Sequence, residues 1–120
     1  MTQPSHEQRR RLRPDEVALI MTMLEPDSTR SEFSARCSDY YVQDMSDGGM
    51  GTIRFLAPSD ANRRLGDEIA RAEYVDQDGV MVSITINTDQ HGELYELDFW
   101  KTNFSPLSRY PEPSQVRITE

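Results

Sequence analysis

From Val80 to Asn87 the chain alternates without a break, with Val80, Val82, Ile84 and Ile86 set against Met81, Ser83, Thr85 and Asn87. A period of two puts the β-branched residues on one face of a strand, which no helix can do. Asp76-Gln77-Asp78-Gly79 precedes this strand as a tight turn, and Thr88 to Gly92 follows it as another. Leu94 to Lys101 reads as the next strand, with Tyr95, Leu97 and Phe99 inward and Glu96, Asp98 and Trp100 on the other face. The centre of the chain is therefore antiparallel sheet with one apolar and one polar face.

Residues 14–25 predict the one clear helix, because Val17, Ile20, Met21 and Leu24 recur at i, i+3, i+4 and i+7. Pro14 suits its first turn, Asp15 and Glu16 suit the positive end of its dipole, and Pro26 stops it. Residues 27–37 carry no assignable pattern. Residues 39–45, with Tyr40, Tyr41, Val42 and Met45, read as a strand, and Thr52 to Leu56 as another with Ile53 and Phe55 on one face. Residues 67–75 read as a strand with Ala70, Ala72 and Tyr74 on one face, and a short helix over 60–72 is the competing reading. Pro58 to Gly66 is a polar connection. Pro106, Pro111 and Pro113 send the chain from Ser105 onward in extended form over the surface.

A helix followed by hairpins gives an α+β fold, an antiparallel sheet of about five strands with the N-terminal helix packed on one face. At 120 residues there is room for one domain with tails. The expected division is a flexible basic tail at 1–12, the domain at 13–110 and a C-terminal tail at 111–120.

The net charge of −8 conceals two unlike regions. Arg9, Arg10, Arg11 and Arg13 against Glu7 give the first 13 residues +3, which leaves −11 for the rest. Between Ala72 and Trp100 there is no Lys or Arg, and seven carboxylates give −7. Such a body is a poor surface for phosphate backbones and anionic membranes, so neither nucleic acid nor membrane is expected as its partner. The Arg-rich segment can fold back on the acidic body. No apolar run reaches the roughly 18 residues that span a bilayer. Met1 to Arg13 lacks the apolar stretch of a secretory signal, and Cys37, the single cysteine, excludes an internal disulfide. Both point to a reducing, cytoplasmic setting, with Cys37 a bystander rather than a nucleophile.

Motifs for catalysis fail on spacing. Asp76-x-Asp78-Gly79 opens like a calcium loop, but position 12 is Asn87, inside a strand. Asp98 and Lys101 are three apart, which on a strand sets them on opposite faces and breaks the acid-x-Lys geometry of a metal nuclease. Glu96 and Asp98 share a face at roughly 7 Å, yet Arg54 and Arg71 on neighbouring strands make a cross-strand charge ladder the simpler use. His6 and His91 are too few for a zinc cluster or a catalytic triad. No catalytic residue, metal or cofactor is assigned. Gly48, Gly49 and Gly51 lack the Lys-Ser/Thr of a phosphate-binding loop.

Three blocks together carry a resemblance: Asp47-Gly48-Gly49-Met50-Gly51 with Arg54-Phe55, then Asp76-x-Asp78-Gly79-Val80, then Glu96-Leu97-Asp98-Phe99-Trp100-Lys101 with Ser105-Pro106-Leu107. With Arg13-Pro14 leading into the helix, residues 12–110 resemble a small family of bacterial domains of unknown function. The resemblance implies a self-contained domain and supplies no activity or catalytic residue.

Two functions follow as expectations. The first is a non-enzymatic, protein-binding domain, immunity-like by analogy of size and charge, that meets a basic protein through Trp100, Glu96, Asp98, Asp76, Asp78 and Glu93. The second is a small ligand-binding domain or enzyme with a site at Gly48, Gly49, Gly51 and Arg54, where backbone N–H groups and a guanidinium meet an anion. A homodimer through the sheet face is a third use of the same surface.

Overall fold

The computed structural model describes residues 9–25, 29–56 and 62–119. The Pro26 helix stop, His6 and the first part of the 58–66 connection lie outside the described residues. Seven strands form one sheet: β1 (Arg9–Arg11), β2 (Tyr41–Asp44), β3 (Ile53–Phe55), β4 (Leu65–Val75), β5 (Met81–Asp89), β6 (Leu94–Lys101) and β7 (Val116–Thr119). Their order is β1-β2-β3-β6-β5-β4-β7, and every neighbouring pair is antiparallel. Helices α1 (Pro14–Met23) and α2 (Thr29–Arg36) complete the fold.

The α+β class and the antiparallel sheet match the expectation, but the element count does not. Among the described residues the sheet has seven strands rather than five, and there are two α-helices rather than one. The extra strands are the two edges. Arg9–Arg11, expected in a tail, pairs with β2, and Val116–Thr119, expected in the other tail, pairs with β4. Arg9–Arg11 has no apolar residue to reveal it, and the Val116/Ile118 alternation of the other edge is only four residues long. Over 65–75 the competing helix is excluded, since this is the longest strand of the sheet.

The period-two reading of the centre holds. Val82, Ile84, Ile86, Leu97 and Phe99 are buried with Ile53, Phe55, Val42, Ala72 and Tyr74, and α1 and Phe33 of α2 close over them. Tyr95 departs from the pattern. Asn87 faces Glu96 but Thr88 faces Leu94, so Tyr95 is an extra residue in a β-bulge. Its ring lies outside the core cluster.

Helix α1 buries Leu19, Ile20, Met23 and Glu16. The same i, i+3, i+4, i+7 spacing is thus displaced by one residue from the expected stripe, leaving Val17 and Met21 at its margin. A buried glutamate explains the displacement. Glu16 accepts the Arg13 backbone N–H at 2.8 Å and receives Arg10 in a two-point pair at 2.9 and 2.8 Å. Arg10 also grips Asp44 of β2 at 3.0 and 2.8 Å. One guanidinium thus ties β1, β2 and the start of α1, and the basic segment does meet an acidic body.

Gly66 marks a close approach of β4 to the end of β5. A Cβ there would stand 2.3 Å from the Asp89 carbonyl oxygen, so only glycine fits this irregular stretch of the pairing.

Removing one partner of a buried ion pair strands the other in a low-dielectric site. Arg10→Ala should therefore destabilise the domain by about 2 kcal/mol, below the full buried-pair cost because Arg10 is partly exposed. Urea unfolding measures this, and Glu16→Gln in the Arg10→Ala background should recover part of the loss.

Candidate functional site

The acidic residues expected to face a partner separate into four groups. Asp76 is buried, and Asp78, still exposed, reaches the same cation from the turn. Both accept Lys101 Nζ, at 2.8 and 2.7 Å, and Lys101 has no exposed surface. Pro106 O takes the same ammonium at 2.9 Å. Asp76 also accepts the backbone N–H groups of Gln77, Ser108 and Arg109 at 2.6, 2.7 and 3.1 Å. This cluster joins the β4–β5 turn, the end of β6 and the segment 105–110, so the segment expected to run freely over the surface is fastened to the core. Tyr74 donates its hydroxyl to Arg109 O at 2.9 Å, and Tyr110 packs on Phe99 at 5.4 Å. Burial pushes the Asp76 carboxyl up, but the Lys101 ammonium and those backbone donors outweigh it and hold its pKa at about 2. Burial likewise lowers Lys101, and its two carboxylates more than restore it.

Glu96 is held by Arg54 at 2.8 Å across the β3–β6 pair, the charge ladder expected from the pattern. Arg71 instead pairs with Glu68 of its own strand at 2.7 Å. Glu93 is exposed in the β5–β6 turn, at the opposite end of β6 from Trp100.

Asp98 and Trp100 remain together on the outer face. Trp100 is 50% exposed, so segment 105–110 does not cover it. Phe104, 62% exposed, meets its ring edge-on at 5.0 Å. Val75 and Met81 face each other across β4 and β5, both exposed, and Trp100 pairs with Ser83, one step along the same face from Met81. Four exposed apolar side chains thus gather at one corner of a sheet face on which no described helix packs. Phe104 holds a positive φ of 63°, a conformation that costs a bulky residue energy. Phe104, Val75 and Met81 were not singled out in the sequence. The outward phase of Met81 was readable from the Val80–Asn87 alternation, whereas Phe104 gave no signal.

Asp98 accepts the Thr52 hydroxyl at 3.2 Å. Burial raises its pKa, and neighbouring Glu96 and Asp47 add to the rise. Asp47 accepts the Met50 and Thr52 backbone N–H groups at 3.1 and 2.9 Å. No ion pair to Asp47 or Asp98 is present among the described residues.

Two of the three glycines of the turn pack against other parts of the chain. Gly49 packs on Pro106, and its carbonyl accepts the Leu107 N–H at 3.0 Å. Gly51, at φ 110°, lies against the Phe99 ring and Leu107. Glycine suits both positions because their φ values, 83° and 110°, lie where L side chains are strained. Gly48 faces open space. Arg54 lines a separate cleft of about 210 Å³ with Gln43, Phe55, Leu56, Arg63 and Tyr95. The structure therefore divides the expected Gly48–Arg54 site into a packed turn and a distinct cleft. Among the described residues no group of three His, Cys, Asp or Glu side chains is placed to hold a metal ion, and no helix is long and apolar enough to cross a membrane.

A family model for a domain of unknown function, DUF6984, matches residues 9–111. The chain belongs to this family. No curated protein and no solved structure matches it. The DUF6984 match runs from β1 to the end of the segment fastened by Lys101 and includes the outer-face corner. It stops before β7.

The Asp76 contribution to stability should be complete above the ordinary carboxylate value of 3.8 and be lost as the pH falls towards about 2. Asp76→Asn should remove that part of the acid unfolding curve. Lys101→Met should lower the melting temperature and speed hydrogen exchange at Ser108 and Arg109, which would otherwise stay protected with β6.

Proposed function

We propose that this DUF6984 member is a non-enzymatic protein-binding module that docks a basic partner on its outer sheet face. One observation carries the reading: Trp100, Phe104, Met81 and Val75 form an exposed apolar corner on a sheet face that no described helix covers. Apolar groups gathered this way mark interaction surfaces, and tryptophan is a preferred anchor in them. The strained Phe104 backbone supports it, since strain kept at the surface points to use rather than packing.

The charge supports a basic partner. Most outer acids already have cations: Glu96 has Arg54, Glu73 has Arg117, and Glu68 has Arg71. Asp98 and Asp47 have backbone or hydroxyl donors instead. A lysine or arginine brought over the Trp100 ring would meet both the π-face and the Asp98 carboxylate. The surface contribution is thus narrower than the whole −7 stretch, and Asp76 and Asp78 have structural roles within it. A basic toxin or nuclease has the right chemistry, which would make the domain immunity-like, in a bacterial cytoplasm that suits a single free cysteine.

Affinity capture with the wild-type chain and with Trp100→Ala identifies the partner by difference. Trp100→Ala should weaken binding at least tenfold, as expected for an anchor contributing about 2 kcal/mol. Asp98→Lys should slow association about tenfold at low salt and much less at high salt. A captured partner that binds both variants as well as wild type, with the fold intact by circular dichroism, would refute the reading.

A further inference from the structure

The cleft beside the Tyr95 bulge lies at the other end of β6 from the apolar corner and is built differently. The extra residue takes Tyr95 out of the core layer and sets its ring beneath two guanidinium groups from different elements. Arg54 of β3 lies 4.6 Å from the ring centre and Arg63, just before β4, lies 5.0 Å from it. Bringing two cations onto one ring is unfavourable unless each is held. Arg63 is held at every nitrogen: Nε donates to Asp89 at 2.9 Å, Nη1 to Phe55 O at 2.8 Å and Nη2 to Leu94 O at 2.8 Å. Asp89 is turned to its own loop, accepting the N–H groups of His91 and Glu93. Arg63 is therefore a fixed wall of the cleft.

Arg54 is held differently. Its Nη2 donates to Glu96 at 2.8 Å, while its Nε is buried and has no hydrogen-bond partner. A buried guanidinium donor without an acceptor is costly and uncommon, and it calls for an explanation. The cleft on which Arg54 borders has about 210 Å³ of space, several times the volume of one water molecule and below the range of drug-sized sites. Phe55 and Leu56 give it an apolar side, and Gln43 an amide.

We propose that this cleft binds a small oxyanion, a carboxylate or a phosphate, with Arg54 as its principal donor. The planar guanidinium fork matches either group, and Glu96 engages only its Nη2. Arg63 adds positive potential from a fixed position, and the apolar side accommodates a short carbon chain. The site is independent of the protein-docking corner.

Inorganic phosphate and succinate, titrated separately into the full chain, test it by nuclear magnetic resonance of the Arg54 Nε–H and the Tyr95 ring. At least one should give saturable shifts, and the tighter of the two identifies the preferred oxyanion. Arg54→Gln should weaken that binding tenfold or more, while Trp100→Ala should leave it unchanged. Should Arg54→Gln fail to fold, Tyr95→Leu, which keeps the Arg54–Glu96 pair, should give the same loss. The proposal is overturned if neither anion produces saturable shifts, if chloride at equal ionic strength reproduces them, or if both variants bind as wild type does.

Discussion

The buried Lys101 ammonium organises this domain. An ammonium without exposure survives only with its charge matched and its protons accepted, and here two carboxylates and a carbonyl do both. Those three acceptors come from the β4–β5 turn and from segment 105–110, regions far apart in sequence. Their convergence fixes the turn geometry and carries the chain across the glycine loop, where Gly49 and Gly51 pack against Pro106 and Leu107. It also places Trp100. Adjacent strand residues point to opposite faces, so anchoring Lys101 inward sets Trp100 outward in a defined position. The buried lock and the exposed anchor are consecutive residues of one strand.

A second network repeats the principle at the other edge. Arg10 brings β1, β2 and α1 together through Glu16 and Asp44, and Arg63, just before β4, does so for β3, β5 and β6. In each case a single cation reaches between separate elements. The lean hydrophobic content, 36% of residues, makes such ties useful. They also account for the charge distribution. Much of the acidity of the chain is matched internally, and the outer face carries less free charge than the composition suggests.

The sheet centre was legible because β5 and β6 are half-buried strands whose alternation is set by burial alone. Ile53 and Phe55 in β3, and Ala72 and Tyr74 in β4, were legible for the same reason. The edges were not. Arg9–Arg11 is a strand because Arg10 finds two carboxylates in space, and three arginines in a row carry no periodic signal. Glu16 and Lys101 were hidden likewise, since a charged residue reads as solvated until its partner is known. Asp76 was singled out as a surface acid on the same assumption, whereas Asp78 does stay exposed while pairing with Lys101. Tyr95 obeys the alternation in sequence and escapes it in space through one inserted residue. Trp100 and Asp98 were legible because the polar face of a strand needs no partner to be identified.

The last strand bears on how the sheet is kept apart from other sheets. β7 lies on β4 through Tyr74–Val116 and Arg71–Thr119 pairing, beyond the residues that define the family. It caps part of the longest strand in the molecule, an 11-residue β4 whose backbone donors and acceptors would otherwise face outward as a template for another chain. With Arg117 and Glu73 paired across this junction, the four residues of β7 act as a guard against edge-to-edge aggregation.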